Sequence, residues 1–190
     1  MAEQRYPLHR RLALGAVLLA GMLLPSAPAA EGPAEGDVKA AFVLNFMKFV
    51  EWPASAFPAP DAPILLSIVG NDPIAAALSS LHGKTVAGRR VVVRRVPAPG
   101  ELEECHVLFV GASEQEKLAP LLRALQGRPT LTIADFEGFA GRGGTIGFTR
   151  REDKIGFEIN EESARKAGLQ VSAKLLYLGK SVRAGQGSER

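Results

Sequence analysis

Residues 37–53 read DVKAAFVLNFMKFVEWP, and this stretch decides the fold of the chain. Its apolar residues recur at three- and four-residue spacings, which places them along one face of an α-helix. The predicted apolar face consists of Val38, Ala41, Phe42, Phe46, Phe49 and Val50. Asp37 is suited to cap the first turn, and Pro53 should end the helix near Glu51. A helix with one apolar face needs a sheet to cover, so we expect strands downstream.

The beginning of the chain has the pattern of a secretory signal peptide. Three arginines precede an apolar run over residues 12–24, and a series of small residues follows that run. This order predicts that residues 1–29 are a signal peptide, with cleavage after Ala29 or Ala30, and that the mature protein is periplasmic. A retained membrane anchor is the alternative, but the run is shorter than the ~20 residues that cross a bilayer.

The charge of the mature chain is nearly balanced. Residues 1–29 hold three of the 23 Lys and Arg residues and one of the 20 Asp and Glu residues, so 20 basic residues remain against 19 acidic ones. The densest basic group, Arg89, Arg90, Arg94 and Arg95, flanks three valines as in a strand with solvated ends. Phosphate binding is the alternative for this group. The sequence pattern shows no basic face with interleaved aromatic residues, so it does not suggest a nucleic-acid partner.

Strands and helices alternate after the first helix. Four apolar runs are predicted as strands, over residues 64–70, 90–96, 106–111 and 130–134. Asp72 should cap the helix after the first of them, and Ser113 with Glu116 forms a capping box for a second helix. Because right-handed crossovers permit little else, the alternation predicts a three-layer α/β domain with a mostly parallel sheet flanked by helices.

The C-terminal part breaks the alternation. GTIGFT (144–149) and KIGFEIN (154–160) are predicted to pair as an antiparallel hairpin at one side of the sheet. Asn160 should cap a short helix, and the last helix is predicted from Ser172 to Val182. Residues 30–183 should therefore form one domain, with residues 184–190 as a frayed tail.

The residue types that carry catalysis or bind metals are sparse. Cys105 is the only cysteine, so no internal disulfide can form. Adjacent residues of a strand point to opposite faces, which makes His106 a poor base for that thiol and favours a buried, inert cysteine. His82 and His106 are the only histidines of the mature chain and have no acidic partner at ligand spacing. We expect no metal, no cofactor and no enzymatic activity.

Two turns are candidate ligand sites. Gly70 and Asn71 follow one predicted strand, and Gly111 and Ser113 follow another. Each turn leads into a helix whose first N–H groups are free, at the sheet edge where α/β proteins collect ligands. Helix capping alone also explains both turns, so capping and ligand binding stay open as alternatives.

Five motifs together resemble the YfiR family of small periplasmic proteins. They are FVEWP (49–53), IVGNDP (68–73), CHVLFVGAS (105–113), LTIADFEGFAGRGGTIGF (131–148) and FEINEESARKAGLQVSAKLLYLG (157–179). The likeness runs from about Val38 to Val182. It implies a regulator that represses an inner-membrane diguanylate cyclase through the periplasmic domain of that cyclase, and that an outer-membrane lipoprotein sequesters. A lowered level of cyclic di-GMP, and with it less biofilm, is the implied result.

A surface for such a partner is predicted in the hairpin and the segment after it, where apolar residues lie among turns and charges. The candidates are Phe148, Ile155, Phe157, Glu158, Glu162 and Val171. The alternative is that these residues pack under the last helix. A periplasmic small-molecule sensor, or an enzyme that uses the two turns, is the competing function. The oligomeric state is open, with a homodimer as one alternative.

Overall fold

A computed structural model gives the structure of residues 34–151 and 154–182. The predicted signal peptide and the predicted tail lie outside these described residues. The helices are α1 (Glu35–Phe49), α2 (Ile74–Ser79), α3 (Leu118–Ala124), α4 (Glu161–Lys166) and α5 (Ala173–Leu178). The strands are β1 (Val50–Glu51), β2 (Ile64–Val69), β3 (Thr85–Val86), β4 (Arg89–Val96), β5 (Val107–Val110), β6 (Leu131–Ala134), β7 (Ile146–Arg151), β8 (Lys154–Ile159), β9 (Gln170–Val171) and β10 (Lys180–Ser181).

Eight of these strands form one sheet in the order β10-β8-β7-β6-β5-β2-β4-β3. The strand pairs in it are parallel, apart from the β7–β8 hairpin and the β3–β4 pair. The α/β class, the mostly parallel sheet and the antiparallel hairpin are thus confirmed. A separate antiparallel pair joins β1 to β9, with Val50 opposite Val171.

Both faces of the sheet are covered by apolar side chains. Helices α1 and α2 bury one face, where Phe46 is 1% exposed. Four phenylalanine rings meet under α1, at residues 42, 46, 148 and 157, and the centroids of Phe46 and Phe157 are 4.9 Å apart. Helix α3 covers part of the other face together with Phe139. The three-layer arrangement follows from these two cores.

Helix α1 differs from its prediction in where it begins and in which side it buries. It begins at Glu35, and no side chain caps it, so Asp37 lies in the first turn instead of at the cap. Ala41 is exposed, and the fully buried residues are Ala40, Val43, Phe46 and Met47. The predicted face is rotated because the sheet contacts a stripe centred on Val43 and Phe46, with Phe42 and Phe49 at its flanks.

The predicted capping box is wrong. Residues 112–117 form a 3-10 helix without a side-chain cap, and the Ser113 hydroxyl accepts a hydrogen bond from the Asn71 N–H at 3.0 Å instead. The α-helix that follows is limited to Leu118–Ala124. The bond between two loops that are distant in sequence therefore replaces the local cap.

The last helix is shorter than predicted, because it ends at Leu178 and the chain then forms β10 beside β8. A Cβ atom at Gly179 would lie 2.6 Å from the Phe157 ring and 2.9 Å from Ile159. Only glycine lets the backbone pass this close to β8. Within the described ranges, the helices are all too short or too polar to cross a bilayer.

Candidate functional site

The carboxyl ends of β2, β5 and β6 lie side by side, at the sheet edge where open α/β proteins bind ligands. Asp72 follows β2, Ser113 follows β5, and Asp135 comes directly after β6. The first turn of α1 lies over this edge and brings Glu35 and Lys39 to it. These side chains are the polar part of the candidate site.

A chain of ion pairs crosses this edge and joins three elements. The Lys39 ammonium donates to both carboxylate oxygens of Asp135, at 2.6 and 2.8 Å, and lies 2.5 Å from Glu35. Glu35 also accepts from Arg150 of β7. The Lys39 side chain is only 12% exposed, and its ammonium lies 5.9 Å from the centre of the Phe148 ring. The network fixes α1 to the end of β6 and to the hairpin.

The charges in this network support each other. Burial by itself would lower the pKa of Lys39, but the hydrogen bonds to Asp135 and Glu35 outweigh burial and raise it. The hydrogen bonds from Arg150 and Lys39 lower the pKa of Glu35 to about 2. At neutral pH Glu35 and Lys39 are therefore both ionised.

A groove of about 740 Å³ opens on one side of Lys39, and a smaller one of about 150 Å³ on the other. The larger groove lies between α1 and the start of α2, with Gly36, Ala76 and Ala77 among its lining residues and Asp72 beside them. Carboxylates outnumber cations around it. This groove suits a small molecule with an apolar body and a positive charge.

The two predicted ligand turns lie together and bond to each other. Besides the Asn71–Ser113 bond, the Ala112 N–H donates to Asp72 Oδ2 at 3.4 Å. Gly70 has φ +89°, and a Cβ atom there would lie 2.7 Å from Ser113 Oγ. The Gly111 N–H donates to the Val69 carbonyl at 2.8 Å. Asn71, Gly111 and Ser113 thus each use a polar group in a hydrogen bond within the protein, and Gly70 packs closely against Ser113.

The family model described as YfiR/HmsC-like matches residues 36–180. The chain belongs to the YfiR/HmsC-like family. The match begins in the first turn of α1 and extends into β10, so it contains the whole eight-stranded sheet apart from the last residue of β10. The YfiR/HmsC-like family is periplasmic and regulates diguanylate cyclase signalling. The resemblance stated from the motifs is confirmed.

The structure buries some of the residues predicted as the partner surface of this YfiR/HmsC-like domain and leaves others partly exposed. Phe148 and Phe157 are 2% and 7% exposed and pack against α1 in a core cluster that also contains Leu175 of α5. Ile155 is half-buried beside the smaller groove. Two glutamates are partly exposed: Glu158 pairs with Lys180 at 3.3 Å, and Glu162 pairs with a lysine one turn away. Val171 is half-buried in β9.

The end of α5 carries a feature that the sequence did not reveal. Tyr177 is 89% exposed and Leu178 is 61% exposed. A helix that faces the core would bury more of two such large apolar side chains. They stand next to β10, which pairs with β8 through Lys180 and Glu158. The sequence signals only Tyr177, which lies two residues after the buried Leu175 and so falls off its helix face, whereas Leu178, three residues after Leu175, shares that face.

His106 is buried in a form that requires the neutral ring. Its Nδ1 accepts from the Leu65 N–H at 3.0 Å, its Nε2 lies 2.9 Å from the Ala56 carbonyl, and Phe57 stacks on it at 4.4 Å. Burial lowers its pKa, against the opposing hydrogen bond to Ala56. Burial likewise raises the pKa of the neighbouring Cys105 thiol, which is buried as predicted.

In the part of the chain that the structure describes, no three His, Cys, Asp or Glu residues are placed to hold a metal.

His106 should make the domain sensitive to mild acid. The unfolded chain takes up a proton at this histidine near pH 6.5, whereas the folded chain, with its lowered pKa, does so only at a lower pH, so stability is full above pH 6.5 and falls below it. The loss has a limiting slope of about 1.4 kcal/mol per pH unit. We expect urea unfolding between pH 7 and pH 5 to show a steeper loss for the wild type than for His106→Asn, whose amide oxygen can accept from Leu65 without titrating. Parallel curves would contradict this.

Proposed function

We propose that the chain is a periplasmic repressor that binds the periplasmic domain of an inner-membrane diguanylate cyclase and so lowers cyclic di-GMP. An outer-membrane lipoprotein that sequesters the repressor would relieve the inhibition. The observation that carries this proposal is the family match, which spans nearly all of the described chain. The protein acts by binding, and its site is a surface.

A surface next to β10 combines Glu158 of the predicted partner segment with exposed residues at the end of α5, which lie outside that segment. Tyr177 and Leu178 offer two adjacent apolar anchors, and Glu158 with Lys180 supplies charges beside them. Tyrosine is enriched among the residues that dominate the binding energy of protein interfaces. Phe157 supports this surface from beneath, since a Cβ atom at Gly179 would lie 2.6 Å from its ring.

Deletion of the gene should raise cyclic di-GMP and surface attachment, because removal of a repressor releases the cyclase. The measurement is the cyclic di-GMP content of the deletion strain and of the same strain carrying the wild-type gene. Restoration by the wild-type gene is the control. An unchanged content under conditions where the protein is made would count heavily against the function.

The same deletion strain can be used to locate the surface. The double variant Tyr177→Ser with Leu178→Ser, and the single variants Glu158→Lys and Glu162→Lys, should fold normally and fail to lower cyclic di-GMP. Arg123→Glu, exposed on α3 at the other face of the sheet, is the matched control and should repress fully. If all of the surface variants fold and repress like the wild type, the surface lies elsewhere.

A second candidate function is the sensing of a small molecule. The groove beside Lys39 favours it, since this groove lies at the carboxyl edge of the sheet and reaches Asp72 and Asp135. A neighbouring gene for a membrane protein with a diguanylate cyclase domain would favour the repressor over an independent sensor or enzyme.

A further inference from the structure

The end of the sheet opposite β10 has an edge that is covered over only part of its length. Strand β4 pairs with β2 along residues 91–96, but with β3 only at Arg89 and Arg90. The backbone groups of the next residues of β4 form hydrogen bonds with the chain before β3. The Val91 N–H donates to the Lys84 carbonyl, the Gly83 N–H donates to the Val91 carbonyl, both at 2.8 Å, and the Val93 N–H donates to His82 Nδ1 at 3.3 Å.

Backbone groups beyond this point face outward without a partner in the described chain. Successive residues of a strand direct their N–H and C=O groups to opposite sides, so Val91, Val93 and Arg95 share the outer side. Among the described residues, no hydrogen bond is made by the Val93 carbonyl or by the N–H and carbonyl of Arg95. Val92 and Val93 are only half-buried, because no strand covers them on this side.

We propose that this edge of β4 binds an extended, acidic segment of another protein, which adds to the sheet as a further strand. The free groups of Val93 and Arg95 would supply the backbone hydrogen bonds, and the half-buried valines would receive apolar side chains of the added strand. Arg90 and Arg95 are exposed and positively charged beside the edge, so carboxylates are the matching groups. A second copy of this chain would place arginines opposite arginines. This surface is separate from the one beside β10.

Exposed cations at a sheet edge also prevent unwanted pairing, and a purely protective role is the outcome that would overturn the proposal. The probe is a fluorescently labelled peptide of alternating valine and glutamate, and a peptide with lysine in place of glutamate is its control. The purified mature protein should bind the glutamate peptide and not the lysine peptide, in fluorescence anisotropy at low salt. Absence of binding at about 1 mM, which corresponds to roughly 4 kcal/mol, would overturn it.

Two substitutions at one position separate charge from strand addition. Arg95→Ala removes the charge and should weaken binding about fivefold at most, as for an exposed ion pair. Arg95→Pro also removes the outward N–H, without touching the bonds to β2, and should weaken binding about fivefold further. Equal affinities of these two variants would show a purely electrostatic contact and overturn strand addition.

Amide hydrogen exchange of the wild-type protein tests strand addition without any substitution. The Arg95 amide should exchange freely in the protein alone and become protected when the glutamate peptide is added. The Arg94 amide, which faces β2, should be protected in both states and is the internal control. An Arg95 amide that stays unprotected while the peptide is bound would contradict the proposal.

Discussion

Phe46→Ala should lower the free energy of unfolding by about 3–5 kcal/mol, the range for truncation of a buried aromatic side chain. Phe46 is 1% exposed, and its ring lies 4.9 Å from that of Phe157 and 5.7 Å from that of Phe148. The cavity would open between α1 and the hairpin, so three rings would lose contacts at once. Since domains are stable by only about 5–15 kcal/mol, a sizeable unfolded fraction is expected.

The measurement for Phe46→Ala is urea unfolding followed by circular dichroism. Asn45→Ala is the matched control, because Asn45 is exposed on the same helix one residue away and should change stability by no more than about 0.5 kcal/mol. A loss below about 1 kcal/mol for Phe46→Ala would mean that α1 does not pack on the hairpin as described.

Asn160→Ala should lower the free energy of unfolding by about 2–4 kcal/mol, because the side chain makes two bonds in a fully buried position. Its Oδ1 accepts from the Ser163 N–H at 2.9 Å and caps α4. Its Nδ2 donates at 2.8 Å to the carbonyl of Ala140, which is itself buried. The alanine variant loses the cap and leaves that carbonyl without its donor.

Two further variants separate the two bonds of Asn160. Asn160→Ser keeps an oxygen for the cap but cannot reach Ala140, so it should recover about 1 kcal/mol relative to Asn160→Ala. Ser172→Ala removes only a cap, that of α5, and should lose about 1 kcal/mol. If Asn160→Ala and Ser172→Ala are equally destabilising, the bond to Ala140 contributes nothing.

Local patterns predicted most of the fold. The longer strands were predicted from apolar runs bounded by turn residues. The cap at Asn160 was predicted from its position before a polar helix start. Three of the four two-residue strands could not be predicted, because β1, β9 and β10 exist only through partners that are distant in sequence. The rotation of α1 was missed for a related reason: several faces of an alanine-rich and phenylalanine-rich helix are apolar, and the sheet selects one.

The candidate site was harder to predict than the fold. Lys39 and Asp135 are 96 residues apart, and no local pattern pairs them, so only their contact identifies them. The turns at Gly70 and Gly111 were recognised because their spacing after strands is local. Leu178 could not be told from a core residue, since it shares a helix face with the buried Leu175 and its exposure depends on where α5 ends.

The pairing of β1 with β9 joins the two ends of the domain, so it can form only after both have been synthesised. A chain is made from its N-terminus, at roughly 5–20 residues per second, so Val50 exists for several seconds before Val171. The Phe49 carbonyl likewise has no partner until Ser172, whose N–H reaches it at 2.9 Å, has been added. A chain truncated before residue 170 would lack this closure and the β10 edge together, so the domain cannot assemble completely until β9 and β10 are present.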